Sequence, residues 1–196
     1  MSSDFRLDPV VMQSIGDLNN RKFLDVGCGF GKWGYAVKLG WSGAVEYTVG
    51  LDVWRLNLKF VKKHKVYDDV ILADARFLPF ANKSFNIACA CEFIHCLNKD
   101  EGIVILNELE RVSGQRTIVS VPNKGMTFGV DPENPFEKNV SEWSAKELRN
   151  LGYDIMGIGF QFKGRRISPI ILSGLTKISL LNKFAELLVG KKETSQ

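Results

Sequence analysis

The sequence has 196 residues, of which 45% are hydrophobic and 24% are charged, and its formal net charge is +4. This length and composition predict one globular domain with a full core, and they exclude disordered and fibrous proteins. The lysines and arginines are spread along the chain and form no basic block, so the charge pattern does not indicate a nucleic acid partner.

The cysteines indicate a reducing compartment. Cys28, Cys89, Cys91 and Cys96 have neither a CxxC spacing nor the density of a disulfide scaffold. Residues 1–9 are polar and do not have the features of a signal peptide. We therefore expect a cytoplasmic protein.

The first elements in chain order are a helix and a strand that leads into a glycine-rich turn. Asp8 followed by Pro9 is typical of a helix start, and the apolar run of Phe23, Leu24 and Val26 predicts a short strand. The turn and the helix after it present glycine backbone and unpaired N–H groups to a ligand. A nucleotide-type cradle is predicted, with cofactor contacts from Gly27, Cys28, Gly29 and Gly31.

Two cofactor classes compete for this turn. Gly29, Gly31 and Gly34 satisfy the dinucleotide pattern GxGxxG. Asp25, Gly27, Gly29 and Gly31 satisfy DxGxGxG, which resembles motif I of the class I S-adenosylmethionine (SAM) dependent methyltransferases. Because a carboxylate at Asp25 would repel a pyrophosphate and suit a ligand with an ammonium and a sulfonium, the acid favours SAM over NAD.

The second predicted strand, Val45 to Val53, ends in a carboxylate. Asp52 lies about 20 residues after the glycines, as expected for a residue that accepts hydrogen bonds from ribose hydroxyls. Val53 follows it at the same edge. SAM and NAD both contain a ribose, so Asp52 does not distinguish them, and it has the alternative role of capping a helix from Arg55 onward.

The third and fourth predicted strands carry a more specific resemblance. Val70 to Ala73 ends in Asp74-Ala75, and an LPF and an SF pair precede the strand Ile87 to Cys91. This order is similar to the middle of small-molecule class I methyltransferases. The resemblance implies that Asp74 contacts the adenine amino group and that the backbone of Ala75 contacts a ring nitrogen.

The tip of the fourth strand supplies further candidates. Cys91 and Glu92 are expected to contact the cofactor, and His95 lies where open α/β sheets bind ligands. A neutral imidazole at that place could take a proton from a nucleophile, or His95 could only line the pocket or cap the next helix. Some relatives hold a metal here, but this chain has His95 and Cys96 where they have Glu and His, so no metal is expected.

A long loop, 123–144, follows the fifth predicted strand. So long a loop in a compact domain is typical of a lid or binding segment, which makes Asn123, Phe128 and Trp143 candidate substrate residues. The alternative is a surface excursion whose aromatic side chains pack inward. A short helix capped by Ser144 and a sixth strand are predicted to follow.

The last thirty residues depart from the family pattern. The family ends with a strand antiparallel to the sixth, whereas this sequence predicts a helix over Lys177 to Val189. We therefore expect 1–165 to form the SAM-binding domain and 166–196 to form a helical extension packed on it. Pairing with another subunit, or weak membrane-surface contact through 167–189, are the alternatives.

Together these patterns predict an α/β, doubly wound, mostly parallel Rossmann-like sheet. The resemblance implies transfer of a methyl group from SAM, with S-adenosylhomocysteine (SAH) as product, to an O, N or S atom of a small-molecule, sugar or lipid acceptor. Nucleic acid acceptors are disfavoured because the NPPY-type motif is absent after the fourth strand. The rival interpretations are an NAD-dependent oxidoreductase and a non-catalytic SAM-binding module.

Overall fold

The computed structural model describes residues 4–40, 43–126, 132–162, 165–166 and 182–194. In these ranges helices and strands alternate along most of the chain. The helices α1 to α5 span Asp8–Ile15, Lys32–Lys38, Arg55–Lys63, Lys99–Val112 and Ala145–Asn150. The strands β1 to β8 span Lys22–Val26, Tyr47–Asp52, Asp69–Leu72, Phe85–Cys91, Ser113–Pro122, Asp154–Phe162, Arg165–Arg166 and Ala185–Glu193.

The strands form one sheet in the order β3-β2-β1-β4-β5-β8-β6-β7. The five strands from β3 to β5 are parallel, and β8 runs antiparallel to both β5 and β6. The doubly wound α/β prediction is confirmed. Because β1 pairs with β2 on one side and with β4 on the other, the connections diverge at its carboxyl end, which is where such sheets bind ligands.

Helices cover both faces of the sheet, because its central strands carry apolar side chains on both faces. Leu24 of β1 belongs to the apolar cluster that includes Leu106 of α4. Phe23, the preceding residue, belongs to the other cluster, with Val11 of α1. Alternation of side chains along a strand assigns neighbours to opposite faces, and a parallel strand covered twice is apolar at nearly every position.

The C-terminal helix predicted over 177–189 is wrong over 185–189, which follow a short 3-10 helix at Asn182–Phe184. Ala185–Glu193 is a strand, and Leu187, Leu188 and Val189 are fully buried between β5 and β6. A continuous apolar run fits a strand buried on both faces as well as it fits a broad helical face, so the sequence pattern alone could not distinguish a strand from a helix here. Residues 167–181 lie outside the described part, and the domain division at 165 stays a prediction.

The corrected strand also affects the predicted membrane contact. The side chains at 187 to 189 lie within the sheet and cannot meet a lipid surface. None of the helices in the described ranges is long and apolar enough to cross a membrane.

Candidate functional site

The glycine turn after β1 requires glycine for conformation and for space. Gly27, Gly29 and Gly31 have φ values of 69°, 51° and 82°, in the left-handed region that disfavours a Cβ. A Cβ on Gly27 would lie 2.5 Å from the ring of Phe93. The backbone N–H groups of Gly27 and Cys28 both donate to the carbonyl of Leu51, which fixes the turn to the end of β2.

Asp52 connects the turn to α3. Its Oδ2 accepts from the backbone N–H of Gly29 at 2.9 Å and from Asn57 Nδ2 at 3.1 Å. Its Oδ1 accepts from the backbone N–H of Trp54 at 2.7 Å, just before α3 begins at Arg55. The N-cap residue of α3 is Trp54 and no side chain caps the helix, so the helix-capping alternative is not met, and Asp52 instead ties the turn to the segment before α3.

Asp25 lies beneath the turn and not on a cavity wall. Its side chain is buried, the Tyr67 hydroxyl donates to Oδ2 at 2.5 Å, and the Cys89 thiol donates to Oδ1 at 3.3 Å. Burial raises the pKa of this carboxyl to about 7. The predicted direct contact between Asp25 and a cofactor has no support from this placement.

Two adjoining cavities, of about 440 and 310 Å³, lie at the carboxyl ends of β1, β2 and β4. Both volumes lie within the usual range for small-molecule sites. The larger cavity is lined by the predicted residues Gly27, Cys28, Gly29, Asp52, Val53, Cys91, Glu92 and His95. The smaller one is lined by Asp74 and Ala75, and it shares Gly27, Asp52 and Val53 with its neighbour.

Asn123 and Trp143, two of the predicted substrate residues, do not line either cavity. Asn123 is buried, and its Nδ2 donates to the carbonyls of Asn182 and Ala185. Trp143 is 1% exposed and packs so closely on α4 that a Cβ at Gly102 would lie 2.6 Å from its ring. Both side chains have structural contacts there. Phe128, the third candidate, lies outside the described residues.

The loop predicted as a lid does border the cavities, through residues that the sequence did not single out. Phe136 lines both cavities and Asn134 lines the larger one. The backbone N–H groups of Val140 and Ser141 donate to the carbonyl of His95, at 2.9 and 3.0 Å. The aromatic residues interleaved in this segment were the available signal, but they did not show which would face the site.

Glu92 lies at the tip of β4 in a left-handed conformation, with a φ of 54°. Its backbone N–H donates to the Ser120 carbonyl at 2.9 Å, and the Ser120 hydroxyl donates to Glu92 Oε1 at 3.1 Å. Burial raises the pKa of its carboxyl to about 7. The position therefore combines an uncommon backbone conformation with a proton acceptor that titrates near neutral pH.

His95 is 8% exposed, and its Nδ1 has no hydrogen-bond partner among the described residues. Burial disfavours the charged ring and lowers its pKa to about 4. The imidazole is therefore neutral at physiological pH and can donate or accept a hydrogen bond.

Asp74 is held by its neighbour Arg76. The guanidinium donates to both carboxylate oxygens of Asp74 and also pairs with Glu101 of α4. The hydrogen bonds from Arg76 lower the pKa of Asp74, which keeps it ionised. An ionised carboxylate can accept a hydrogen bond from an amino group in the smaller cavity.

Three residues that line the larger cavity each carry a buried polar atom without a partner among the described residues. These atoms are Trp33 Nε1, Asn57 Oδ1 and His95 Nδ1. Because buried polar groups in folded proteins nearly always find partners, this concentration indicates a ligand site. In the described part of the chain no group of three or more His, Cys, Asp or Glu side chains is arranged to hold a metal ion.

Comparison with known proteins agrees with this arrangement. A family model described as a methyltransferase domain matches residues 24–119. A protein of Methanocaldococcus jannaschii, described as uncharacterized protein MJ1252, is 37% identical over 89 residues, which cover 45% of this chain. The match spans 31% of that relative's length.

Solved structures resemble the chain over nearly its whole length. A putative methyltransferase of Haloferax volcanii, in complex with the Trm112 methyltransferase activator, superposes with a TM-score of 0.66 at 13% identity, over 98% of this chain and 90% of that one. Magnesium protoporphyrin IX methyltransferase of Synechocystis, with bound SAM, gives 0.61 at 14% identity, over 96% and 78%. At these identities the likeness shows the fold.

Proposed function

Because this chain belongs to the class I SAM-dependent methyltransferase family, we propose that it transfers a methyl group from SAM to an O, N or S atom of a small-molecule, sugar or lipid acceptor. The observation that carries the proposal is the pair of joined cavities at the tips of β1, β2 and β4, with orphaned polar atoms in the larger wall.

The lining residues fit the parts of SAM. The smaller cavity offers the ionised carboxylate of Asp74 and the backbone of Ala75 for an adenine ring. Asp52 borders both cavities and can accept hydrogen bonds from ribose hydroxyls. The methionyl part would lie in the larger cavity, against Gly27 and Gly29.

The charge of the site favours SAM over NAD. Glu92 and Asp52 line the larger cavity, and Asp25 lies directly beneath the turn. These carboxyl groups would repel a pyrophosphate, whereas the ammonium and sulfonium of SAM would be attracted. No phosphate-binding role is therefore proposed for the turn.

The chemistry asked of the protein is mainly positioning. When bound, SAM supplies an activated methyl group on a sulfonium. The residues of this chain then align the acceptor atom behind that methyl and exclude water, for which Phe93, Phe136 and the loop tied to His95 are suitably placed. The role of general base predicted for His95 remains a proposal, although its low pKa makes the imidazole a weak base.

Calorimetric titration with SAM, SAH and NAD tests the cofactor. We expect SAM and SAH to bind and NAD to bind far more weakly. Asp52→Asn should weaken SAM binding about 10- to 100-fold, the value of a hydrogen bond to a charged group. Gly29→Val should remove binding, since a branched residue is strained at a φ of 51°.

Asp154→Asn is the matched control, because Asp154 is an exposed carboxylate at the start of β6. Circular dichroism should show that each variant is folded. SAM affinity that is unchanged in both site variants would refute the site, and preferential NAD binding would favour the oxidoreductase. SAM binding with no methyl transfer to any acceptor in a fractionated extract would favour a non-catalytic module.

The acceptor and a protein partner belong to the same proposal. The H. volcanii neighbour is held by a methyltransferase activator, so dependence on a partner protein should be tested for this chain as well. If purified chain binds SAM but methylates no acceptor, adding an extract of the source organism depleted of small molecules should restore transfer only when a protein activator is required.

A further inference from the structure

The wall of the larger cavity carries more negative than positive groups. Among the described residues that line it, four carboxylates face one ammonium, that of Lys32. The carboxylates are those of Asp4, Asp52, Glu92 and Glu137. A wall of this composition repels phosphate and carboxylate groups and attracts cations.

Asp4 and Lys32 of this wall pair with groups of opposite sign. Arg6 pairs with Asp4 at 2.6 Å, and Asp8 pairs with Lys32 at 2.5 Å. Glu92 differs, since its Oε1 accepts one hydrogen bond from Ser120 and the described residues supply none to its Oε2. One carboxylate oxygen of the half-buried Glu92 therefore remains available to a ligand.

Aromatic rings in the wall of the larger cavity also favour the binding of a cation. Phe30, Trp33, Phe93 and Phe136 line the same cavity. The faces of aromatic rings attract cations, and the Lys32 Nζ already lies 5.0 Å from the centre of the Trp33 ring. An acceptor with a positive charge and an apolar body matches this lining.

Two buried ring nitrogens give independent evidence of a ligand beside these acids. Trp33 is 3% exposed and His95 is 8% exposed, and both line the cavity. Trp33 Nε1 and His95 Nδ1 lack partners among the described residues. Because burial without a partner is costly, these nitrogens indicate a bound group with its own donors and acceptors.

We propose that the methyl acceptor is an amine that enters as an ammonium, pairs with Glu92 and gives its proton to that carboxylate. This inference rests on the proposed function and names its substrate class. The acceptor nitrogen loses a proton to Oε2, and its freed lone pair forms a bond to the methyl carbon. The carbon–sulfur bond breaks, and its electron pair stays on sulfur.

The charges balance across this step. An ammonium, a carboxylate and a sulfonium carry a total of +1 before transfer. A neutral carboxyl group, a methylated ammonium and a neutral thioether carry the same total afterwards. No oxidant or reductant is needed, and Glu92 returns its proton to solvent before the next turnover.

The titration of Glu92 suits this role. Asp4, Lys32 and Cys96 interact electrostatically with Glu92, and Asp52, His95 and Glu137 line the same cavity. Burial is the main cause that raises the pKa of Glu92 to about 7, and a base is most effective when its pKa lies near the working pH. Burial also raises the pKa of Cys96 to about 12, so its thiol stays neutral.

The test uses three probes of one shape and different charge: benzylammonium, benzyl alcohol and benzoate. Their binding to the folded chain is measured by calorimetry, with and without saturating SAH. We expect benzylammonium to bind at least about tenfold more tightly than benzoate, since one ion pair is worth that factor or more. Its affinity should increase between pH 6 and pH 8, as Glu92 ionises.

Glu92→Gln keeps the shape of the side chain and removes the charge. It should lower the affinity for benzylammonium about tenfold and abolish the increase with pH, with no change for benzyl alcohol and a much smaller loss for SAH, whose own ammonium lies in the same cavity. Glu92→Gly should have the same effect on binding, yet unfold at a temperature roughly 2–6 °C higher because the left-handed conformation suits glycine. Asp154→Asn should behave as the wild type.

Equal binding of benzoate, or unchanged benzylammonium affinity in Glu92→Gln, would overturn the amine proposal. A tenfold loss of SAH affinity in Glu92→Gln would overturn it too, because Glu92 would then serve the cofactor. If wild-type protein takes the amine but neither SAM nor SAH, the methyl-transfer proposal fails and the amine site stands.

Discussion

Gly34 in α2, the last glycine of the GxGxxG pattern, makes room for an aromatic ring and is the most informative position to perturb. A Cβ at Gly34 would lie 2.4 Å from Cε1 of Tyr67. The ring cannot move away, because a Cβ at Gly50 of β2 would lie 2.5 Å from its other edge. The Tyr67 hydroxyl also donates to Asp25 and accepts from the backbone N–H of Gly34.

Gly34→Ala is therefore expected to destabilise the protein, against the ordinary helix preference. Alanine in a helix interior gains about 1 kcal/mol over glycine. Overpacking costs about 1–3 kcal/mol, and displacement of the hydrogen bond to the buried Asp25 costs about 1–3 kcal/mol more. The net loss of unfolding free energy is roughly 1–5 kcal/mol, which lowers the Tm of a domain of this size by about 2–20 °C.

Thermal unfolding followed by circular dichroism measures this loss. Gly114→Ala is the matched control, since a Cβ there would come no closer than 3.5 Å to any atom. Tyr67→Leu in the Gly34→Ala background should recover part of the loss, as expected for two residues in direct contact. A Gly34→Ala protein as stable as the wild type would refute the explanation, and so would equal costs of Gly34→Ala with and without Tyr67.

Three further results are expected. Burial raises the pKa of Asp25 to about 7, so the native state holds a proton that the unfolded chain loses near pH 4. The free energy of unfolding should therefore fall as the pH rises from 4 to 7. Denaturant titrations should show a shallower fall in Asp25→Asn. Trp143→Phe should lower the unfolding free energy by about 1–3 kcal/mol and leave SAM affinity unchanged, whereas weakened affinity would return Trp143 to the site. SAM binding at pH 6.5 should release protons, because a nearby cation lowers the pKa of Asp25 and of Glu92. Calorimetry in buffers of different ionisation enthalpy would detect the release, and proton uptake would contradict the prediction.

The local signals in the sequence were sufficient for most of the fold. The glycine turn, the strand that ends at Asp52 and the helix capped by Ser144 were predictable because each depends on residues near in sequence. The capping box of Ser144 and Glu147 is formed in the structure as the pattern indicates. These predictions needed no knowledge of distant contacts.

The errors arose where long-range packing decides. Leu187 to Val189 is a strand because β5 and β6 leave a gap that a two-sided apolar segment fills, which periodicity cannot show. The sequence left open whether Trp143 lies beside a substrate or packs inward, and it packs inward because the absence of a side chain at Gly102 admits it to the core. The role of Tyr67 was missed because its partners, Gly34 and Asp25, are more than 30 residues away.

Bound cations would offset the cost of two carboxyl groups that lie in or beneath the cavity wall. Asp25 beneath the turn and Glu92 in the cavity wall both have raised pKa values, so each is expensive to ionise in the folded chain. A protein under selection for stability alone would hold apolar groups there, and a glycine at the left-handed position of Glu92. Their presence is understandable when cations occupy the cavity, since a sulfonium and an ammonium offset the cost that the empty fold bears.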